Sequence, residues 1–220
     1  MKCEIKYKPA FAAIFVTLSP GESIVAEAGA MASMDAKLSM KTQFSGGFFP
    51  ALIRKFFGGE TIFVNVFINE TKEPLNLVLT QSSIGDIQEI ELKNKDICFQ
   101  PGAYIAHTSE ANLGVRWAGF KSWFAGEGLF KLKVSGKGKV YFGAYGGITK
   151  KRVSGSFIVD NTHLVAYDPA IKMNIRLSGG LFSSLTSGEG FVNRLSGNGD
   201  IYLQSRSIDG LVGFLRPKVR

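Results

Sequence analysis

The sequence predicts an all-β fold built from three tandem copies of one β-unit, with pseudo-threefold symmetry, closing as a barrel or sandwich with short helical segments. Three observations predict it. The chain holds 26 glycines and 18 phenylalanines among 220 residues, with few sustained helix-forming stretches, as expected of many short strands joined by glycine turns. An apolar motif occurs three times, and a Gly-Glu pair follows each copy of it.

Composition sets the outer bounds. Hydrophobic residues make up 45% and charged residues 20%, enough apolar mass for a packed core and too little net charge for disorder. All-β domains often reach this length as single units, so one domain over residues 1–220 is expected.

The N-terminal stretch imitates a signal peptide: lysines precede the apolar run Ala10–Leu18, and Ala28-Gly29-Ala30 resembles a cleavage site. Ile24–Met34 belongs to the repeated motif, however, so no signal peptide is expected. No apolar stretch approaches the roughly 20 residues that a spanning helix needs. Cys3 and Cys98 have no metal-ligand or CxxC spacing, and Cys98 reads as a core residue. A reducing, cytoplasmic setting fits, with peripheral membrane contact as a further option.

The motif copies align without gaps. Ile24–Met31 (IVAEAGAM) matches Ile97–Tyr104 (ICFQPGAY), and both match Leu164–Ile171 (LVAYDPAI). Each reads as a strand, a turn and the start of the next strand. The markers are Gly59-Glu60, Gly126-Glu127 and Gly188-Glu189. Alternating strands follow, as in Ile62–Phe67 and Leu129–Val134. The second and third copies then show Gly136-Lys137-Gly138-Lys139 and Gly197-Asn198-Gly199-Asp200, which read as hairpin turns between strands and not as phosphate loops. The first copy has Asn69–Pro74 there. These marks divide the chain into repeats of approximately 18–80, 92–148 and 157–205. Each unit offers an apolar sheet face that three units can bury together.

Taken together, the three repeats, Ile24–Met31, the Gly46-Gly47-Phe48-Phe49 segment and the Gly-Gly-Glu marker resemble the mitochondrial biogenesis proteins of the altered-inheritance-of-mitochondria type, a family with many bacterial and archaeal members of unknown function. The resemblance spans roughly residues 3–215. It implies an all-β fold similar to the tryptophan RNA-binding attenuation protein, an inner-membrane association in the eukaryotic branch, and no catalytic residues to carry over.

Between motif and marker each copy carries a short apolar element. In the first, Phe48, Leu52 and Phe56, and likewise Phe49, Ile53 and Phe57, are spaced i, i+4, i+8, making two apolar rows if helical, with Arg54 and Lys55 turned away. The second has Phe120, Trp123 and Phe124, and the third Leu181, Phe182 and Leu185. The repeat places all three around one pole. They either close the core or form a contact surface for a protein partner, another copy of the chain or a membrane.

Lys plus Arg exceed Asp plus Glu, 26 against 18. The charge is mostly dispersed; Lys150-Lys151-Arg152, the lysines at 2, 6 and 8, and the tail Arg216, Lys218 and Arg220 are its densest groups. The two histidines, His107 and His163, lack ligand-spaced partners, and no nucleophile elbow occurs. Glu60, Glu127 and Glu189 read as turn caps or as a carboxylate ring near the axis. Asn69-Glu70-Thr71 fits a glycosylation sequon.

No enzyme, metal site or cofactor is expected. The leading expectation is a non-catalytic structural or interaction protein that presents its apolar pole. The alternatives are a nucleic-acid-binding β domain, suggested by the positive charge, and a small-molecule-binding protein.

Overall fold

A computed structural model describes residues 1–44, 63–117, 130–177 and 191–219. Two antiparallel sheets dominate it. The smaller contains β1 (Lys2–Lys6), β2 (Ala13–Leu18), β7 (Leu75–Leu79) and β4 (Met31–Met34), in that order. The larger runs β13 (Ile148–Asp160), β16 (Phe191–Gln204), β14 (Leu164–Tyr167), β9 (Ile97–Phe99), β12 (Phe130–Gly143), β10 (Tyr104–Thr108), β3 (Ser23–Glu27), β6 (Phe63–Ile68) and β5 (Ser39–Phe44). Onto this path β11 (Ala111–Trp117) and β8 (Ile87–Lys93) add at β12, and β15 (Lys172–Leu177) adds at β16. Helical structure among the described residues is one 3-10 turn, Asn161–His163, and one helix, α1 (Ile208–Leu215).

The all-β expectation agrees with this architecture. The barrel does not: the larger sheet ends at β13 on one side and β5 on the other, and neither described sheet closes on itself.

Alternation explains which faces are inside. In β2, Ile14, Val16 and Leu18 point inward, as do Leu75, Leu77 and Leu79 of its partner β7. They form one apolar cluster with Ile24 and Phe67. A second cluster gathers Phe99, Tyr104, Val134, Val140 and Phe142 with Tyr202, and a third gathers Cys98, Val153, Leu164, Tyr167, Leu195 and Ile201. Fully burying each large side chain contributes about 1.5–3 kcal/mol.

The same pairings occur three times. β5 closes a hairpin on β6, β11 on the first half of β12, and β15 on the first half of β16; their end pairs are Phe44↔Phe63, Trp117↔Phe130 and Leu177↔Phe191. Thirteen residues before each end lies a residue where the register slips: Met31 in β4, Tyr104 in β10 and Leu164 in β14. The third motif copy is therefore displaced from its expected place. Leu164, and not Ile171, stands where Met31 and Tyr104 stand, seven residues earlier than the sequence alignment puts it. The likeness of Leu164–Ala166 to Ile24–Ala26 is local, because all these segments are buried β-strands with the same appetite for small and branched side chains.

The Gly-x-Gly segments are not hairpin turns. Each lies inside one long strand: across it β12 changes both its partners, and β16 changes β15 for β14 while β13 stays paired throughout. Before Gly136–Gly138, β12 pairs with β11 and β9; after it, with β10 and β8. Gly138 has φ +89° and Gly197 φ +128°, conformations open to glycine that re-aim the strand from one partner set to the next.

Candidate interaction surface

The twelve apolar residues singled out from sequence, Phe48, Phe49, Leu52, Ile53, Phe56, Phe57, Phe120, Trp123, Phe124, Leu181, Phe182 and Leu185, lie outside the described residues, as do Arg54, Lys55 and the marker glutamates Glu60, Glu127 and Glu189. What the structure describes is where their segments leave and re-enter the sheet. Each of these three points sits beside a turn. The Ala28 N–H donates to the Phe63 carbonyl (2.9 Å), Leu132 pairs with Phe99 next to the 100–103 turn, and Val192 pairs with Asp160 at the start of the 3-10 turn. Gln100 and Ala103 share a groove of about 510 Å³ with Asn161 and Thr162. The first turn is tied to the same end, since the Thr80 N–H donates to the Ala30 carbonyl and Ser82 and Ser83 line that groove.

At this end the connections between units also meet. Ala12 N–H donates to the Gly85 carbonyl, Gly146 N–H to the Ile84 carbonyl, and Arg206 N–H to the Tyr145 carbonyl. The chain then enters α1, capped by the Ser207 side chain, which accepts from the Gly210 N–H (3.0 Å). No residue of α1 is buried. Ile208, Leu211, Val212, Phe214 and Leu215 are all solvent-exposed, Phe214 at 60%. Phe11, 70% exposed, Tyr7 and Ile84 are further exposed apolar side chains next to the Ala12–Gly85 link. Arg206, Arg216 and Lys218 frame it; Lys218 Nζ lies 3.6 Å from the Phe214 ring centroid. Asp209 is the single acidic residue in 206–219.

Sequence reading finds the tail cations but misses this helix. The signal is present: Ser207 as cap, Asp209 in the first turn, and the apolar run Leu211-Val212-x-Phe214-Leu215. Two glycines, Gly210 and Gly213, lower its helix propensity and conceal it.

Lys150, Lys151 and Arg152 lie together on β13, but acid partly neutralises them. Asp200 on the facing strand accepts from Lys150 Nζ (2.8 Å) and Arg152 (3.3 Å). Lys150 holds the Asp200 carboxyl below the usual carboxylate range, and Asp200 in turn raises the Lys150 ammonium. Lys151 Nζ sits 4.7 Å from the Phe157 ring centroid.

The remaining polar residues serve the fold. His107 is buried and its Nδ1 lies 2.6 Å from Tyr104 Oη. Burial lowers its pKa to about 4. His163 Nδ1 lies 2.7 Å from the Gln204 carbonyl. Burial raises the Cys3 thiol, which disfavours the reactive thiolate. Asn69 is fully buried, and its amide donates to the Leu18 and Glu73 carbonyls (2.8 and 2.7 Å), so the sequon's acceptor nitrogen is used inside the molecule. Among the described residues, Asp209 is the groove's sole charged lining residue, and no group of three or more metal-binding side chains occurs. No described helix is long and apolar enough to cross a membrane.

Comparison with known proteins agrees with this framework. The sequence profile described as "Mitochondrial biogenesis AIM24" matches residues 3–206. An uncharacterized protein of Streptococcus pyogenes serotype M6 is 27% identical over 225 aligned residues, covering 98% of this chain and 90% of that one. A crystal structure of a Streptococcus pyogenes protein from a structural genomics programme superposes with a TM-score of 0.80 at 26% identity, covering 99% of each chain. A profile match across nearly the whole chain establishes membership: this protein belongs to the mitochondrial biogenesis AIM24 family.

Proposed function

We propose that this chain is a non-catalytic interaction protein whose apolar, basic-framed end docks reversibly on an anionic membrane surface. The observation that carries the reading is α1, a helix with five exposed large apolar side chains and no buried residue. Leaving such a surface in water costs free energy, and a flanking set of cations suits an interface of apolar tails beneath anionic headgroups. Inserting two or three of these side chains would contribute several kcal/mol at about 1.5–3 kcal/mol each. Arg206, Arg216 and Lys218 would add about 1 kcal/mol apiece near the surface. The sum supports peripheral, salt-sensitive binding.

The nucleic-acid reading has less support. Its densest described cationic group, Lys150–Arg152, shares Asp200, and the rings that its lysines meet, Tyr202 and Phe157, are buried and half-buried.

Vesicle flotation tests the proposal. The full chain should float with phosphatidylglycerol-rich vesicles and fail to float with pure phosphatidylcholine. A Leu211→Ser, Phe214→Ser variant should lose flotation at nearly unchanged melting temperature, because neither residue belongs to the buried core. Equal flotation of that variant and the parent contradicts the reading.

A further inference from the structure

The strand register contains a rule that the chain applies twice and leaves unfinished once. Glu27, Gln100 and Asp160 each lie four residues before the slipped residue of the next strand, Met31, Tyr104 or Leu164. Between the first and second units, β10 pairs antiparallel with β3 as Ala106↔Ala26 and His107↔Val25. Between the second and third, β14 pairs with β9 as Ala166↔Phe99 and Tyr167↔Cys98. Counted from the marks above, the two registers are the same.

The mates left over are β4 and the second half of β13. Among the described residues β4 pairs with β7 alone and β13 with β16 alone, and the two stand in different sheets. Burial follows the same division. Every residue of β10 and β14 is buried, whereas Met31, Ala32 and Ser33 of β4 are exposed and Ile158 of β13 is 63% exposed. Edges facing water are normally guarded by charge. Here Met31–Met34 carries none, and neither does Val153–Val159, although the other half of β13 holds Lys150, Lys151 and Arg152.

From this we propose that β4 of one copy of this chain adds to the β13 edge of a second copy, in the register the molecule already uses: Ser33↔Val159 and Met34↔Ile158. The occupant is a second copy because the inter-unit register joins a strand in the place of β4 to one in the place of β13, and these two are the strands the single chain leaves unjoined. Each copy then offers one donor edge and one acceptor edge, a head-to-tail contact that grows into a ring or an open filament. This proposal rests on the strand register and on the two uncharged edges, and not on the membrane reading.

Paired cysteines test it, in a Cys3→Ser background. Directly opposed residues of an antiparallel pair lie within disulfide reach. Mixing a Ser33→Cys chain with a Val159→Cys chain under mild oxidant should give a disulfide-linked dimer that neither chain gives alone, and the double variant should give a ladder of multimers. Sedimentation should show the parent as multimers and an Ile158→Lys variant, with unchanged circular dichroism and melting, as a monomer. A monomeric parent overturns the proposal, as does a mixture without heterodimer. A double variant that cross-links only within one chain also overturns it, and assigns the two edges to closure of a single molecule.

Discussion

At the scale of single residues, the most informative side chain is His107. Burial keeps its imidazole neutral with a pKa of about 4, against an ordinary 6.5, and its Nδ1 lies 2.6 Å from the Oη of Tyr104, a hydroxyl that burial holds protonated. The unfolded chain takes up a proton near pH 6.5 that the folded chain refuses until about pH 4. Stability is therefore fully present above the unfolded value and is lost as the pH falls through this window, by at most about 3 kcal/mol. His107→Gln keeps a hydrogen-bonding group beside Tyr104 but does not titrate there. Urea unfolding at pH 7 and pH 4.5 should show the parent losing about 2 kcal/mol more than the variant; parallel losses would show that His107 is not the titrating group.

At the scale of elements, the bent strands decide the architecture. β12 exchanges both of its partners and β16 one of its two, since β13 runs along its whole length, and the bend lies at a glycine with positive φ. A side chain at Gly138 is excluded twice over: φ is +89°, and a Cβ would stand 2.1 Å from Thr108 Oγ1. Gly29 has a similar φ, +93°, but open space around it. Gly29→Ala should cost about 1–2 kcal/mol, the left-handed penalty alone, and Gly138→Ala distinctly more, read as the shift in denaturant midpoint. Equal costs would remove the bend from the account.

These elements also explain what was legible in the sequence. Alternating runs such as Ala13–Leu18 and Leu75–Leu79 declare themselves as strands with one inward face. Gly-x-Gly between two strands reads as a hairpin, because sequence alone does not reveal that β8 and β11 lie along the two halves of one β12. The first and second units align correctly because each starts with a short separate strand, β3 or β9. The third is misplaced because β13 fuses two such strands into one of 13 residues. That hides its start and leaves Leu164-Val165-Ala166 as the apparent match. α1 escapes notice because glycines interrupt it and none of its apolar positions is buried against the body.

At the scale of the whole molecule, the end that gathers three turns, three inter-unit connections and α1 differs from the region where the β12 bend at Gly138 meets Glu22, Glu110 and Lys139. Apolar and cationic groups concentrate at the first, and partly neutralised charge at the second. Such polarity suits a molecule that works by contact at one end. Hydrogen exchange of the full chain, with and without phosphatidylglycerol vesicles, tests this most directly. The account predicts slowed exchange confined to residues 206–219 together with the neighbourhoods of Phe11 and Ile84, reversed by high salt. Protection centred on Glu22, Glu110 and Lys139, or unchanged exchange throughout with vesicles in excess, would contradict it.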